Sequence, residues 1–294
     1  MIAIKGVGSM KKWTRGFIAL TVVTTTVIAY TVYKFTSRPS NNPKQFKERR
    51  VVNKIVACLG DSNTQGSMAH NFVNDLDLAM KDEGYEFINA GVNGDLVYNV
   101  LNRLDEVIAC HPDYIIILIG TNDILAGLTK YNEIKFELKK QLPIKPSEAW
   151  FISNLTAVID QLKKKTNAKI AIMSLPLISE DTQSVAFQKA IEYSQQIYKI
   201  AVQESITYLP LNEWQLQYLQ KHRPIKCESV NTSPFAFFIP SFKHYVLRKS
   251  WEEISEEAGL ILTIDTVHQN KVAASMIEAL VRTFLIEEGE EPEL

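Results

Sequence analysis

The sequence is poor in cysteine. Among 294 residues there are three, Cys58, Cys110 and Cys227, and none belongs to a Cys-x-x-Cys pair. An odd count without paired spacing excludes a disulfide framework and a thiolate zinc site, so free thiols are expected. His-Glu-x-x-His is missing too, and no metal and no cofactor is expected. With 12 glycines and 11 prolines the chain is neither collagen-like nor low in complexity, and it holds no internal repeat. Neither Gly-x-Gly-x-x-Gly nor Gly-Lys-Ser/Thr follows the first apolar run of the body, which weighs against a phosphate or nucleotide binder. A basic body is lacking as well. Residues 1–50 hold ten Lys/Arg against one acid, Glu48, whereas the remainder holds 22 Lys/Arg against 32 Asp/Glu. That mild acidity excludes nucleic acid as the principal partner. The run Glu287-Glu288-Gly289-Glu290-Glu291 leads into a solvated acidic tail over 288–294.

What is present is ordinary globular composition, 46% apolar and 22% charged. One long run carries no charge: residues 16–33, GFIALTVVTTTVIAYTVY, preceded by Lys5, Lys11, Lys12 and Arg15 and followed by Lys34 and Arg38. As a helix it is about 27 Å long, close to the roughly 30 Å of a hydrocarbon core. Residues 1–36 therefore read first as a basic segment plus a membrane anchor. A cleaved signal is the second reading, with Met10 as an alternative start and Val27-Ile28-Ala29 as a passable cleavage site. A core helix of the soluble body is the third, and the absence of an amphipathic pattern speaks against it. Basic residues flank both ends, so the positive-inside rule sets no orientation. Export of the body is the expectation, and secretion if the segment is cleaved. Residues 37–50, SRPSNNPKQFKERR, read as a polar linker.

From residue 51 strands and helices alternate. Val51–Leu59, Glu86–Ala90, Asp113–Ile119, Ala168–Leu175 and Ser205–Leu209 are short apolar runs. Between and after them, Phe72–Met80, Val97–Cys110, Ser147–Lys165, Thr182–Val202 and Asn270–Leu285 carry helical spacing. Nearly continuous apolar strands alternating with helices predict a parallel sheet covered on both faces. The expectation is a flavodoxin-like, three-layer α/β/α domain of five parallel strands over residues 51–287, with an irregular insert at about 221–262. Chemistry in such a sheet lies beyond the carboxyl ends of the strands, here after residues 59, 90, 119, 175 and 209.

Three of those ends are followed by unusual residues: Gly60-Asp61-Ser62-Asn63, Asn89-Ala90-Gly91-Val92-Asn93-Gly94 and Gly120-Thr121-Asn122-Asp123. A fourth block, Asp265-Thr266-Val267-His268, precedes the last helix. Acyl transfer needs an attacking hydroxyl, a base, an acid that orients the base, and donors for the oxyanion. Ser62, His268 and Asp265 have the chemistry for the first three. Gly94, with a free N–H, and Asn122, with a side-chain amide, have it for the fourth.

These four blocks resemble those of the GDSL or SGNH hydrolase superfamily, in the same order along the chain, over about residues 54–285. The resemblance implies Ser62 as nucleophile, His268 as base and Asp265 as its orienter. It implies an oxyanion hole of the Ser62 and Gly94 N–H groups and the Asn122 side chain, with Gly91 as the fallback glycine. One departure is the residue after Asp265, Thr266 here, where a glycine often stands. The implied substrate is a small-molecule or lipid-like ester, as in acyl esterases and lysophospholipases. An O-acetylated carbohydrate and a non-catalytic membrane-anchored binding module are the alternatives.

Plainer roles exist for each residue. Ser62 can cap the helix after it, and Asn122-Asp123 can form an Asx turn. Asp61 and Asp123 are not assigned the chemical step. His70, His111, His222 and His244 have no acid at matching spacing and read as surface or structural residues. The aromatic stretch Phe235–Phe242 is either core or a lid and acyl-binding wall. Asn154-Leu155-Thr156 and Asn231-Thr232-Ser233 fit the glycosylation pattern.

Overall fold

A computed structural model describes residues 7–46, 53–222, 229–230 and 236–289. Cys227, the Asn231 triplet, Phe235 and the last five residues of the acidic tail lie outside them. The described elements, in chain order, are α1 (Val7–Thr36), β1 (Lys54–Gly60), α2 (Ser62–Gln65), α3 (Phe72–Met80), β2 (Tyr85–Gly91), α4 (Val97–Leu101), α5 (Leu104–Ile108), β3 (Tyr114–Leu118), α6 (Thr121–Leu128), α7 (Lys130–Lys140), α8 (Glu148–Lys165), β4 (Lys169–Met173), α9 (Val185–Glu204), β5 (Thr207–Leu209), α10 (Leu211–Lys221), α11 (Phe238–Tyr245), α12 (Trp251–Ala258) and α13 (Lys271–Gly289).

The five strands form one parallel sheet in the order β2-β1-β3-β4-β5, as the alternating pattern predicts. Successive side chains of a strand point to opposite faces, and here both faces are apolar. Ala57, Leu59, Ile88, Ile115, Ile117 and Ile172 join one core with residues of α4, α5, α8 and α9. Val56, Cys58, Phe87, Ile116, Leu118 and Met173 join the other with residues of α3 and α13. Cys58 and Cys110 are buried free thiols, and burial raises the pKa of both.

Tertiary contacts reshape several local patterns. The amphipathic stretch Val97–Cys110 is two short helices, because the chain turns at Asn102-Arg103. The turn lets the Arg103 guanidinium reach Asp95 Oδ2 at 2.7 Å and Gly60 O at 3.0 Å. Residues 37–46, read as linker, lie against the body. Asn42 is buried, the Asn89 N–H donates to Asn41 O at 3.0 Å, and Arg38 pairs with Glu106 at 2.8 Å. Within the insert, α11 and α12 are regular helices, and Ser250 caps α12 with a reciprocal bond from Glu253.

Candidate active site

Strand register positions the site. Gly60, the last residue of β1, pairs with Gly91 of β2 on one side and Leu118 of β3 on the other. Three strands thus end level, and the loops beyond them converge. Gly91 is a packing glycine: a Cβ there would overlap the backbone N of Gln65 in α2. That close approach seats α2 directly over the ends of β1 and β2.

Ser62 opens α2, with Asp61 as the cap accepting from Asn63 N at 3.0 Å. Ser62 Oγ lies 2.9 Å from His268 Nε2, and His268 Nδ1 lies 2.7 Å from Asp265 Oδ2. All three side chains are nearly inaccessible to solvent. With Nδ1–H donating to the carboxylate, Nε2 is left to accept the Ser62 hydroxyl proton. The second Asp265 oxygen accepts from the backbone N–H groups of Val267 and His268, at 3.1 and 2.8 Å. One carboxylate thus orients both the ring and the peptide that carries it.

Gly94 stands at φ +76°, a left-handed conformation suited to glycine. Lys140 of α7 bonds Asn93 O at 2.7 Å and Asp95 Oδ1 at 2.8 Å, clamping both sides of it. The N–H of Gly91, the fallback donor, donates to Asn89 Oδ1 at 3.0 Å. Asn122, in the first turn of α6, has its Nδ2 3.0 Å from Asp95 O and 3.4 Å from Asp61 Oδ2.

Several supporting residues carry no mark in the sequence. The buried carboxylate of Glu180 accepts from the backbone N–H groups of Ile261, Leu262 and Thr263 and from the Thr263 hydroxyl, at 2.9 Å from each donor on its shortest contact. It thereby anchors the loop leading to Asp265 and His268. Asn63 Oδ1 accepts from Gln269 N at 3.0 Å, tying the residue after Ser62 to the residue after His268. Gln215 of α10 bonds Gln269 at 2.7 Å. The last two strand ends thus lead into supports rather than reacting groups. Only Asn63 was visible beforehand, through its place in the first block.

Burial dominates the electrostatics. It pushes the Asp61 carboxyl up to about 6, opposed by the Asn63 N–H and by the nearby His268 and reinforced by Asp95. Burial also holds Asp123 well above the usual carboxylate range, against the Val97 N–H it accepts and with Asp61 and Asp95 adding repulsion. The histidines outside the site need one correction. His70 does have an acid: its Nε2 lies 2.8 Å from Asp75, with Glu252 3.5 Å from its Nδ1. Glu278 adds a third ligand-capable group within 4.8 Å of His70 and Asp75. His244 stacks on Trp251 at 3.9 Å, and His222 bonds Tyr218 O. His111 lines a cleft of about 450 Å³ with Lys54, Asp113 and Lys169. That cleft is at the amino ends of the strands, the end of the sheet away from Ser62.

Thr266 explains the departure noted in the last block. It sits at φ +73°, where a Cβ costs about 1–2 kcal/mol, and among the described residues its buried hydroxyl finds no hydrogen-bond partner. Replacing Thr266 with glycine removes both costs and adds unfolded-chain entropy of under about 1 kcal/mol. Thr266→Gly is therefore expected to stabilise the fold by about 1 kcal/mol, read as a Tm rise of about 2–4 °C. An unchanged or lower Tm contradicts the strain.

A buried hydroxyl, imidazole and carboxylate in hydrogen-bonded series can generate an alkoxide nucleophile. The profile of the family described as GDSL-like Lipase/Acylhydrolase matches residues 58–225. No curated protein matches the sequence. Among solved structures, the acetyl xylan esterase AlAXEase superimposes with TM-score 0.56 at 21% identity, covering 79% of this chain and 99% of its own. The acetylxylan esterase Axe2 from Geobacillus stearothermophilus gives 0.55 at 20%, covering 81% and 95%. A lipase/acylhydrolase from Enterococcus faecalis gives 0.53 at 17%, covering 82% and 99%. Such identities speak to a shared fold.

Proposed function

The chain belongs to the GDSL-like lipase/acylhydrolase family and is an ester-bond hydrolase, and from that premise we propose that it cleaves carboxylic esters through an acyl-enzyme on Ser62. The observation that carries this is the unbroken series Ser62 Oγ, His268, Asp265 at 2.9 and 2.7 Å. Ser62 Oγ attacks the ester carbonyl carbon as its proton passes to His268 Nε2. The tetrahedral oxyanion accepts from the N–H groups of Ser62 and Gly94 and from Asn122 Nδ2, displacing the long contact of that amide to Asp61. Collapse expels the alcohol, protonated by His268, and leaves the acyl group on Ser62. Water then attacks, gives its proton to His268, and releases the acid as Ser62 regains its hydrogen.

For the substrate we propose a lipid-like acyl ester. The Phe237 ring meets the His268 ring edge-on at 5.2 Å and offers an apolar wall beside the reacting atoms. We also propose that α1 spans a membrane. Its segment Gly16–Lys34 is apolar and only 6% buried, which fits an anchor better than a core helix. A second reading, an O-acetylesterase of carbohydrate, is favoured by the acetyl xylan esterases among the structural neighbours. Turnover of p-nitrophenyl esters from acetate to octanoate separates the two. A kcat/KM rising about tenfold or more with chain length is expected from added apolar contact. A strong preference for acetate moves the assignment to the carbohydrate ester. Absence of turnover on every ester leaves the anchored, non-catalytic module.

A further inference from the structure

Two sets of contacts join the end of the anchor helix to the mouth of the site. α1 packs against α11. Between residues 16 and 34, Val27 and Thr31, four apart and so on one face, are the two that lose exposure. At 1.5 Å per residue they lie about 10 and 5 Å inside Lys34, where the apolar span ends. α11 therefore sits beside the last two turns of the span. Just past that end, Ser37 O accepts from Gln65 Nε2 at 2.9 Å, while Gln65 Oε1 accepts from Asn93 N at 2.7 Å, next to Gly94. From α11, the Tyr245 hydroxyl donates to Ser67 O at 2.6 Å. The residue before α11 is Phe237, whose ring meets His268. The anchor, the oxyanion loop and the wall over His268 are thus one connected structure.

α11 and the turn after it present apolar side chains to solvent beside basic ones, as segments at a bilayer surface do. Ile239 on α11 and Leu247 just beyond it are more than half exposed, and near them in the chain are Arg248 and the lysines Lys243 and Lys249, which pair with Glu257 of α12. Helices of this kind bury an apolar face about 5–10 Å into the headgroup boundary, and the packing of α11 on α1, with Val27 and Thr31 as the residues of the span that lose exposure, fits that depth.

We infer that α11 lies in the headgroup layer of the membrane spanned by α1, so that the Ser62 site opens on the lipid surface and takes its ester from there rather than from bulk water. This rests on the anchored ester-hydrolase reading and narrows its substrate to an amphiphilic ester held in a bilayer.

The test uses the full chain reconstituted in phosphatidylcholine nanodiscs, with two readouts. The first compares a long-chain fluorogenic ester dissolved in the bilayer with water-soluble p-nitrophenyl acetate. Ile239→Glu is expected to lower turnover of the bilayer ester about tenfold, by placing a charge in the interface, and to keep acetate turnover within about twofold. The second is independent of activity. A polarity-sensitive fluorophore on Ile239→Cys, in a Cys227→Ser background, is expected to be quenched by nitroxide-labelled lipid. An unquenched fluorophore overturns the inference, and so does equal turnover of the bilayer ester by wild type and Ile239→Glu. Acetate turnover with no bilayer turnover in the wild type also overturns it and leaves the esterase reading standing. No turnover of either ester sinks the esterase reading, and quenching alone then decides where α11 lies.

Discussion

Ser62→Ala is expected to lower kcat on any accepted ester by about 10⁵-fold or more while leaving the fold intact. The expectation follows from how the three side chains act. His268 has value as a base only while a hydroxyl lies at Nε2, and Asp265 has value only through His268. Removing the nucleophile or the base of such a unit costs nearly as much as removing all of it, about six orders of magnitude for a comparable triad. The remaining rate comes from the oxyanion donors and from substrate binding. His268→Ala should match Ser62→Ala, and the double variant should be no worse than either alone. Steady-state kinetics on the three proteins checks this. Additive losses would mean that the two residues act separately. Unfolding is not a competing explanation, because α2 is capped by Asp61, not Ser62.

Glu180→Ala is expected to destabilise the protein by about 3–5 kcal/mol, with a Tm loss of roughly 10 °C. The side chain is fully enclosed, and its carboxylate satisfies three backbone N–H groups and one hydroxyl. Truncation leaves those donors buried and unpaired, at about 1–3 kcal/mol each before relaxation. Glu180→Gln keeps one acceptor oxygen, the one that takes most of the bonds, and is expected to recover more than half of the loss. The residue is a positioning residue: it touches the loop Ile261–Thr263 and acts on His268 through it. The glutamine variant, assayed where it is fully folded, should therefore lose kcat with little change in KM. An alanine variant as stable as wild type would show that the loop is held by other contacts.

These expectations separate what was legible in the sequence from what was not. The central strands were legible because they are buried on both faces, so the apolar run is nearly continuous, as in Tyr114–Leu118. Their convergence was legible in outline through the glycines that follow them. α7 and α10 were not. α7 buries only Asn132 and Phe136, and α10 buries Leu211, Asn212, Gln215 and Leu219, so polar residues occupy half of each inward face and hide the helical period. The break between α4 and α5 goes with a tertiary bond from Arg103 to Asp95 that no local period encodes. Within the site, short motifs exposed Ser62, Gly94, Asn122, Asp265 and His268, since their spacing is local. Lys140 and Glu180 act across 45 and 83 residues, the latter largely on backbone N–H groups, and no local pattern encodes such partners. His70 misled for a related reason: its acid Asp75 lies five residues on, and the Glu252 beside it comes from a distant helix.

The most direct measurement of Ser62 as nucleophile is covalent labelling with a fluorophosphonate, read by peptide mass spectrometry. An activated serine displaces fluoride from phosphorus, and the adduct is stable where an acyl-enzyme is not. One adduct per chain on the peptide containing Ser62 is predicted, formed in the wild type, lost in Ser62→Ala and strongly slowed in His268→Ala. An adduct on another residue, or none on a protein that still hydrolyses esters, would contradict it.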